Sequence, residues 1–191
     1  MNIILGVSAS VALYKACDLT RELTKAGHHV HIAMTRTAAS WINPILFEAL
    51  SGNAVYTDDS QGTYAATVSC TERNRDRQIS ASSGMAHIDI RKDADVMLVA
   101  PATADLIARA AAGRGDDIVA ATLLSFSGPR YIAPAMNPFM YAHPATQKNL
   151  QTLKEYGYRI LDSANGEAVC GDVGQGKMMA VADIIAALSP N

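Results

Sequence analysis

Apolar and polar positions along the chain change period repeatedly, and those changes predict the elements. Asn2 to Leu5 read as a buried strand; beyond a turn of small residues, Ser10 stands where it can cap a helix. Ala12, Ala16, Leu19, Leu23 and Ala26 then recur at spacings of four and three, and Gly27 stops the run. Val30, Ile32 and Met34 alternate with polar neighbours, so a second strand follows. A strand–helix–strand unit this short implies a right-handed parallel crossover.

The grammar recurs downstream. "ADVMLVAP" predicts a strand ending at its proline, "TADLIARAAAG" a helix ending at Gly113, and "PRYIAPAMN" a strand ending at Pro134. "HPATQKNLQTLKEYG" carries Pro144 in its first turn and Gly157 after its last, "YRIL" is the expected final strand, and "MMAVADIIAAL" closes the chain as a helix. The result is an α/β fold, a doubly wound Rossmann-like parallel sheet whose ligands sit beyond the carboxyl ends of the strands. One stretch, residues 57 to 84, is polar with no sustained period and reads as a loop over the site or an arm between subunits.

A length of 191 residues predicts one domain, residues 1–191, without room for a second catalytic unit. Sixteen Lys and Arg against eighteen Asp and Glu give a net charge of -2, and no basic stretch tracks a phosphodiester backbone, which argues against nucleic acid. Cys17, Cys70 and Cys170 are odd in number and far apart, so neither a disulfide framework nor a CxxC site is expected and the compartment reads as reducing cytoplasm. With no basic region ahead of the first apolar run and no stretch of membrane-spanning length, the chain reads as unprocessed and membrane-free.

Chemistry concentrates at the predicted strand ends. In "GVSASVALYK" the backbone N–H groups with Ser8 and Ser10 could surround a phosphate, although neither GxGxxG nor GxxxxGK[ST] is present, and a helix cap without ligand is an equal reading. "MTRTAASWI" offers Thr35, Thr37 and Ser40 with the single tryptophan, Trp41, to cover a flat ring; the competing reading is a capped helix with a core tryptophan. "APATAD" and "APAMN" each run a strand into Ala-Pro-Ala, which should leave backbone groups unpaired in the ligand crevice and aim Met136 and Asn137 into it. "HHVH" places His29 and His31 on one strand face beyond His28, but without acidic or thiolate partners no metal is expected. His87 in "SGMAHIDI" is a lone histidine, more often structural or solvated than catalytic, although its titration range suits an acid or base; Cys170, among Gly171, Gly174 and Gly176, suits a mobile loop better than a core.

Together "GVSASVALYK", "SGMAHIDI", "APATADLIARAAAG", "PAMNPFMYAHPATQKNL" and "CGDVGQGKM" resemble, in order and over nearly the whole chain, the homo-oligomeric flavin-containing cysteine decarboxylases. The resemblance implies a flavodoxin-like flavoprotein with FMN held by Ser10, Val11, Thr35, Thr37 and Trp41 and lined by Ala102, Thr103, Ala104, Asp105 and Ala135. It implies His87 as the active-site histidine, Asn137 as the substrate carboxylate's partner with Met136 and Lys177 as further substrate contacts, and Cys170 as the acid on a closing flap. The implied reaction is decarboxylation of 4'-phosphopantothenoylcysteine in coenzyme A biosynthesis: hydride transfer from the thiol-bearing carbon to FMN, loss of carbon dioxide, and return of the hydride with a proton from Cys170. A cytoplasmic trimer or dodecamer is implied, with a separate phosphopantothenate-cysteine ligase making the substrate. A peptidyl-cysteine decarboxylase and a non-catalytic flavin-binding regulatory subunit are the alternatives. Ala9, Asp105, Tyr141 and Trp41 depart from the residues common at their positions in the family.

Overall fold

The computed structural model describes residues 1–58, 90–167 and 171–188. Six parallel strands form the central sheet in the order β3-β2-β1-β4-β5-β6: β1 Asn2–Val7, β2 His29–Met34, β3 Val55–Thr57, β4 Val96–Ala102, β5 Arg130–Pro134 and β6 Arg159–Ile160. The helices are α1 Tyr14–Lys25, α2 Arg36–Trp41, α3 Pro44–Ser51, α4 Ala104–Ala111, α5 Ile118–Ser125, α6 Pro138–Ala142, α7 Pro144–Glu155 and α8 Val181–Leu188. Strand order reverses between β1 and β4, the switch point at which an open α/β sheet leaves a crevice.

The central strands are apolar on both faces, and the pleat divides them between two cores. Ile3, Leu5 and Val7 of β1 join Leu98 and Ala100 of β4 against α1 and α8; Ile4 joins Met97 and Val99 against α4, α5 and α7. The predicted apolar stripe of the first helix is buried at Ala16, Leu19 and Leu23, whereas Ala26 is its exposed C-cap. Ser10 does begin this segment, by capping a short 3-10 turn, Val11–Leu13, that leads into α1.

Three expectations about the strands change. β4 does not stop at Pro101: the strand runs through to Ala102, and its pairing with β5 resumes at Ala102 and Pro134 after a register shift. β6 is not the last strand, because β7 Ala164–Glu167 and β8 Val173–Lys177 follow as an antiparallel hairpin. This hairpin is rich in glycine and polar residues, so no apolar alternation announced it. The polar stretch assigned to 57–84 begins inside the sheet, since Thr57 closes β3. Asp58 then accepts the N–H of Arg36 at 3.1 Å and of Ile118 at 2.6 Å, joining the starts of α2 and α5. Residues 59–84 lie outside the described residues.

His31 sits part-buried within β2, and its pKa is lowered, first by burial and then by neighbouring His29, with Asp93 opposing. Its folded pKa lies below the unfolded value of about 6.5, so the unfolded chain takes up the proton first as the pH falls. His31 therefore contributes no penalty above that pH, and stability is lost as acidity increases through it. Thermal unfolding at pH 7.5 and 5.5 should show a lower Tm in acid, and His31→Gln should reduce that difference.

Candidate functional site

Helical segments start directly at the carboxyl ends of β1, β2 and β4, and a hydroxyl residue caps each start. Ser10 Oγ accepts the N–H of Ala12 at 3.3 Å, Thr35 Oγ1 that of Ala38 at 3.3 Å, and Thr103 Oγ1 that of Leu106 at 3.3 Å. These starts point backbone N–H groups toward the switch-point side of the sheet.

Ser8 has a different task from the one its position suggested. Its buried hydroxyl donates to the Pro101 carbonyl at 2.8 Å and accepts the Thr103 N–H at 3.1 Å, stapling the end of β1 to the end of β4. Ser8 is buried, unlike Ser10 on the rim, and here it acts as a staple between strand ends. The Ala-Pro-Ala carbonyls are also paired, contrary to expectation. Pro101 O serves Ser8, Ala102 O accepts the Ala135 N–H at 2.9 Å, and Ala135 O accepts Ser10 Oγ at 3.3 Å. Strands ending side by side satisfy one another here, a tertiary arrangement that proline counting does not disclose.

Ala102 and Ala135 are buried beneath this rim, while Thr103 and Ala104 are part-exposed on it. Thr37 is exposed, Val11 is 60% exposed and Trp41 58%, so Trp41 is not the core residue that the competing reading required. The helix that it ends is nonetheless capped by Thr35. Asp105 lies in the first turn of α4, with its carboxylate drawn to Arg109 Nε at 2.9 Å. Arg109 also meets Asp117 at 2.6 Å and Asp116 at 3.2 Å; burial opposes its charge, but these three carboxylates push its pKa up.

The donor set fits a flavin mononucleotide. Backbone N–H groups at helix starts and the Ser10, Thr37 and Thr103 hydroxyls suit a phosphate and ribityl chain. The exposed Val11 and Trp41 side chains offer apolar surface for a ring.

Across β5, the Pro-Ala-Met-Asn segment is clasped by the β7–β8 hairpin. Met136 N–H donates to Gly176 O at 2.9 Å. A Cβ on Gly176 would stand 2.6 Å from Met136 O, and one on Gly174 2.9 Å from Pro138 Cβ, so both glycines permit a contact that a side chain would block. Asn137 caps α6 through Oδ1, which accepts the Phe139 N–H at 2.8 Å, while Nδ2 donates to Asp172 Oδ2. Met136 packs on the second core, and Lys177 lies over Gly166 across the hairpin. A shallow groove beside this clasp is lined by Pro138, Phe139, Tyr141, Gln147, Gly174 and Gln175.

Asn137, Met136 and the hairpin thus come together. His87 and Cys170 lie outside the described residues. Asp172 and the clasping glycines were missed as site residues; the Asp two places after Cys170 in "CGDVGQGKM" was the available signal. Among the described residues, no helix is long and apolar enough to cross a membrane and no group of three or more His, Cys, Asp or Glu is placed to hold a metal ion.

The family model described as Flavoprotein matches residues 1–190. The coenzyme A biosynthesis bifunctional protein CoaBC of Vibrio cholerae is 44% identical over 97% of this chain, which spans 42% of that protein's length. The FMN-dependent cysteine decarboxylase SpaF is 31% identical with a TM-score of 0.70, covering 92% of this chain and 90% of that one. A cysteine-to-serine mutant of PPC decarboxylase complexed with pantothenoylaminoethenethiol shares the fold, with a TM-score of 0.80 at 23% identity over 98% of this chain and 95% of that one.

Proposed function

The chain belongs to the flavoprotein family, and on that premise we propose that it is an FMN-dependent lyase that converts 4'-phosphopantothenoylcysteine to 4'-phosphopantetheine and carbon dioxide. The observation that carries the reading is the clasp that holds Asn137 beneath a glycine hairpin, just past the end of β5, the strand beside β4. A carboxylate anchor and the arm expected to carry an acid are the two protein groups that such a reaction needs. The similarity to CoaBC supports the substrate, and the similarity to SpaF supports cysteine decarboxylation as the chemistry.

FMN, when bound, supplies the two-electron oxidation that makes loss of carbon dioxide easy and the reduction that follows it. We assign it to Ser10, Val11, Thr35, Thr37, Trp41, Thr103 and Ala104, over Ala102 and Ala135, with Asp105 contributing its place in the first turn of α4. Asn137 orients the leaving carboxylate through neutral N–H donors, which hold it without the strong charge stabilisation of an arginine that would oppose its departure. Met136 and Lys177 complete the substrate contacts. We assign His87 to acid/base work beside the substrate, and the Cys170 Sγ to delivery of the last proton. Asn137→Ala should raise the KM for the cysteine substrate and leave FMN content unchanged; steady-state kinetics alongside the flavin absorbance checks both.

The same geometry admits the C-terminal cysteine of a peptide, a reading favoured by the open groove at Phe139, Tyr141 and Gln175 and by the likeness to SpaF. Competition between 4'-phosphopantothenoylcysteine and a cysteine-terminated peptide for carbon dioxide release separates the two. We further propose a cytoplasmic homo-oligomer, a trimer or an assembly of trimers. Exposed Tyr14, Trp41, Ile45, Leu46, Phe139 and Val173 support it as apolar surface that an assembly would cover. A phosphopantothenate-cysteine ligase supplies the substrate.

The deciding experiment is an absorption spectrum of purified protein before and after 4'-phosphopantothenoylcysteine, with carbon dioxide recorded. A flavin spectrum with gas release is expected. A flavin spectrum without turnover would redirect the reading to the peptide or regulatory role, and a protein that cannot be loaded with FMN would overturn it.

A further inference from the structure

Both ends of the Asn137 amide are committed. Oδ1 accepts the Phe139 N–H at 2.8 Å at the start of α6, which fixes Nδ2 on the opposite side. There Nδ2 donates to Oδ2 of Asp172, a part-buried residue just before β8. The group assigned to hold a substrate carboxylate thus already holds a carboxylate, and it belongs to the protein's own arm.

Resting on the substrate reading above, we propose that Asp172 is an internal stand-in for the substrate carboxylate: it occupies Asn137 between turnovers, gives way to a ligand that brings its own carboxylate, and returns when that carboxylate has left as carbon dioxide. An amide nitrogen has two hydrogens, so hydrogen-bond count alone does not force the exchange. Charge does, because two carboxylates on one part-buried amide would repel each other and one of them must move away. The arm is held independently by the Met136–Gly176 hydrogen bond and the Gly174–Pro138 contact, so Asp172 can release Asn137 without detaching the hairpin. The consequence is a specificity the pocket shape does not supply. A carboxylated substrate competes with Asp172, whereas the decarboxylated product has nothing with which to displace it.

The test compares two ligands on FMN-loaded protein by calorimetry: the serine analogue of the substrate, which keeps the carboxylate and lacks the thiol, and 4'-phosphopantetheine. Asp172→Asn replaces a charged competitor with a neutral one, so the serine analogue should bind roughly tenfold tighter while 4'-phosphopantetheine binds as before. With Asn137→Ala in the background, Asp172→Asn should no longer change affinity for the analogue. Equal or weaker binding of the analogue to Asp172→Asn, with both ligands binding the wild-type protein, overturns the stand-in and leaves the substrate reading intact. Failure of both ligands to bind wild-type protein overturns the substrate reading and the stand-in with it. Should Asp172→Asn not fold, amide hydrogen exchange of wild-type residues 171–173 decides: faster exchange with the serine analogue but not with 4'-phosphopantetheine supports the exchange, and no difference between the ligands overturns it.

Discussion

Cys170→Ser protein is expected to retain FMN and to form the saturated thiol product about 10²- to 10⁴-fold more slowly than the wild type, the range over which a positioned proton donor contributes. Serine preserves size and hydrogen bonding but not acidity, since a thiol titrates near pH 8–9 whereas an aliphatic hydroxyl does not titrate in water. The deficit should fall on the last step. Carbon dioxide release in a single turnover should persist, while the enethiol awaiting its proton accumulates and is visible by mass spectrometry. Undiminished formation of saturated product would remove Cys170 from the chemistry and assign the last proton to another donor. Cys17 provides a thiol control within the same chain. Burial, with Asp18 beside it, pushes its pKa up, and it packs against the first core, so it should alkylate slowly.

Gly176→Ala should produce the second large effect, a fall in kcat/KM of about 10²-fold, with flavin content maintained. A Cβ at this position would stand 2.6 Å from the Met136 carbonyl, and the glycine's φ of 141° is one that side chains rarely adopt. The obstacle is backbone, so no rotamer change relieves it. The hairpin must therefore move away from the Asn137 segment, and a displacement of about 1 Å at a positioning element is enough to cost this much. Thermal unfolding should shift down as well, since the strained alanine lies between Met136, which packs on the second core, and Met178 of the first, so the kinetic loss is read well below the Tm. Wild-type kcat/KM in the alanine protein would show that the clasp does not position the site.

Much of the architecture was legible because the physical signals were local. Thr103 caps α4, Pro144 opens α7, and Gly27, Gly113 and Gly157 take positive φ beyond the helices they end. Apolar runs at β1, β4 and β5 announced strands buried on both faces. The β7–β8 hairpin was not legible, because its glycines serve a neighbouring segment instead of a period of their own. Ser8 and Ser10 illustrate the same division within three residues. Both are small hydroxyl residues in one turn, yet Ser8 is buried as a staple to Pro101 while Ser10 remains on the rim.

The sequence by itself therefore determined the alternation of elements, the parallel sheet and the strand ends where chemistry gathers, since caps, periods and stops act over a few residues. Only the tertiary structure decided which polar groups at those ends are already paired, and with what. Pro101 with Ser8, Ala135 with Ser10 and Asn137 with Asp172 join positions 93, 125 and 35 residues apart. A donor's partner at such a distance depends on how the strands are ordered and how closely the hairpin approaches, and neither is encoded in the neighbourhood of either residue.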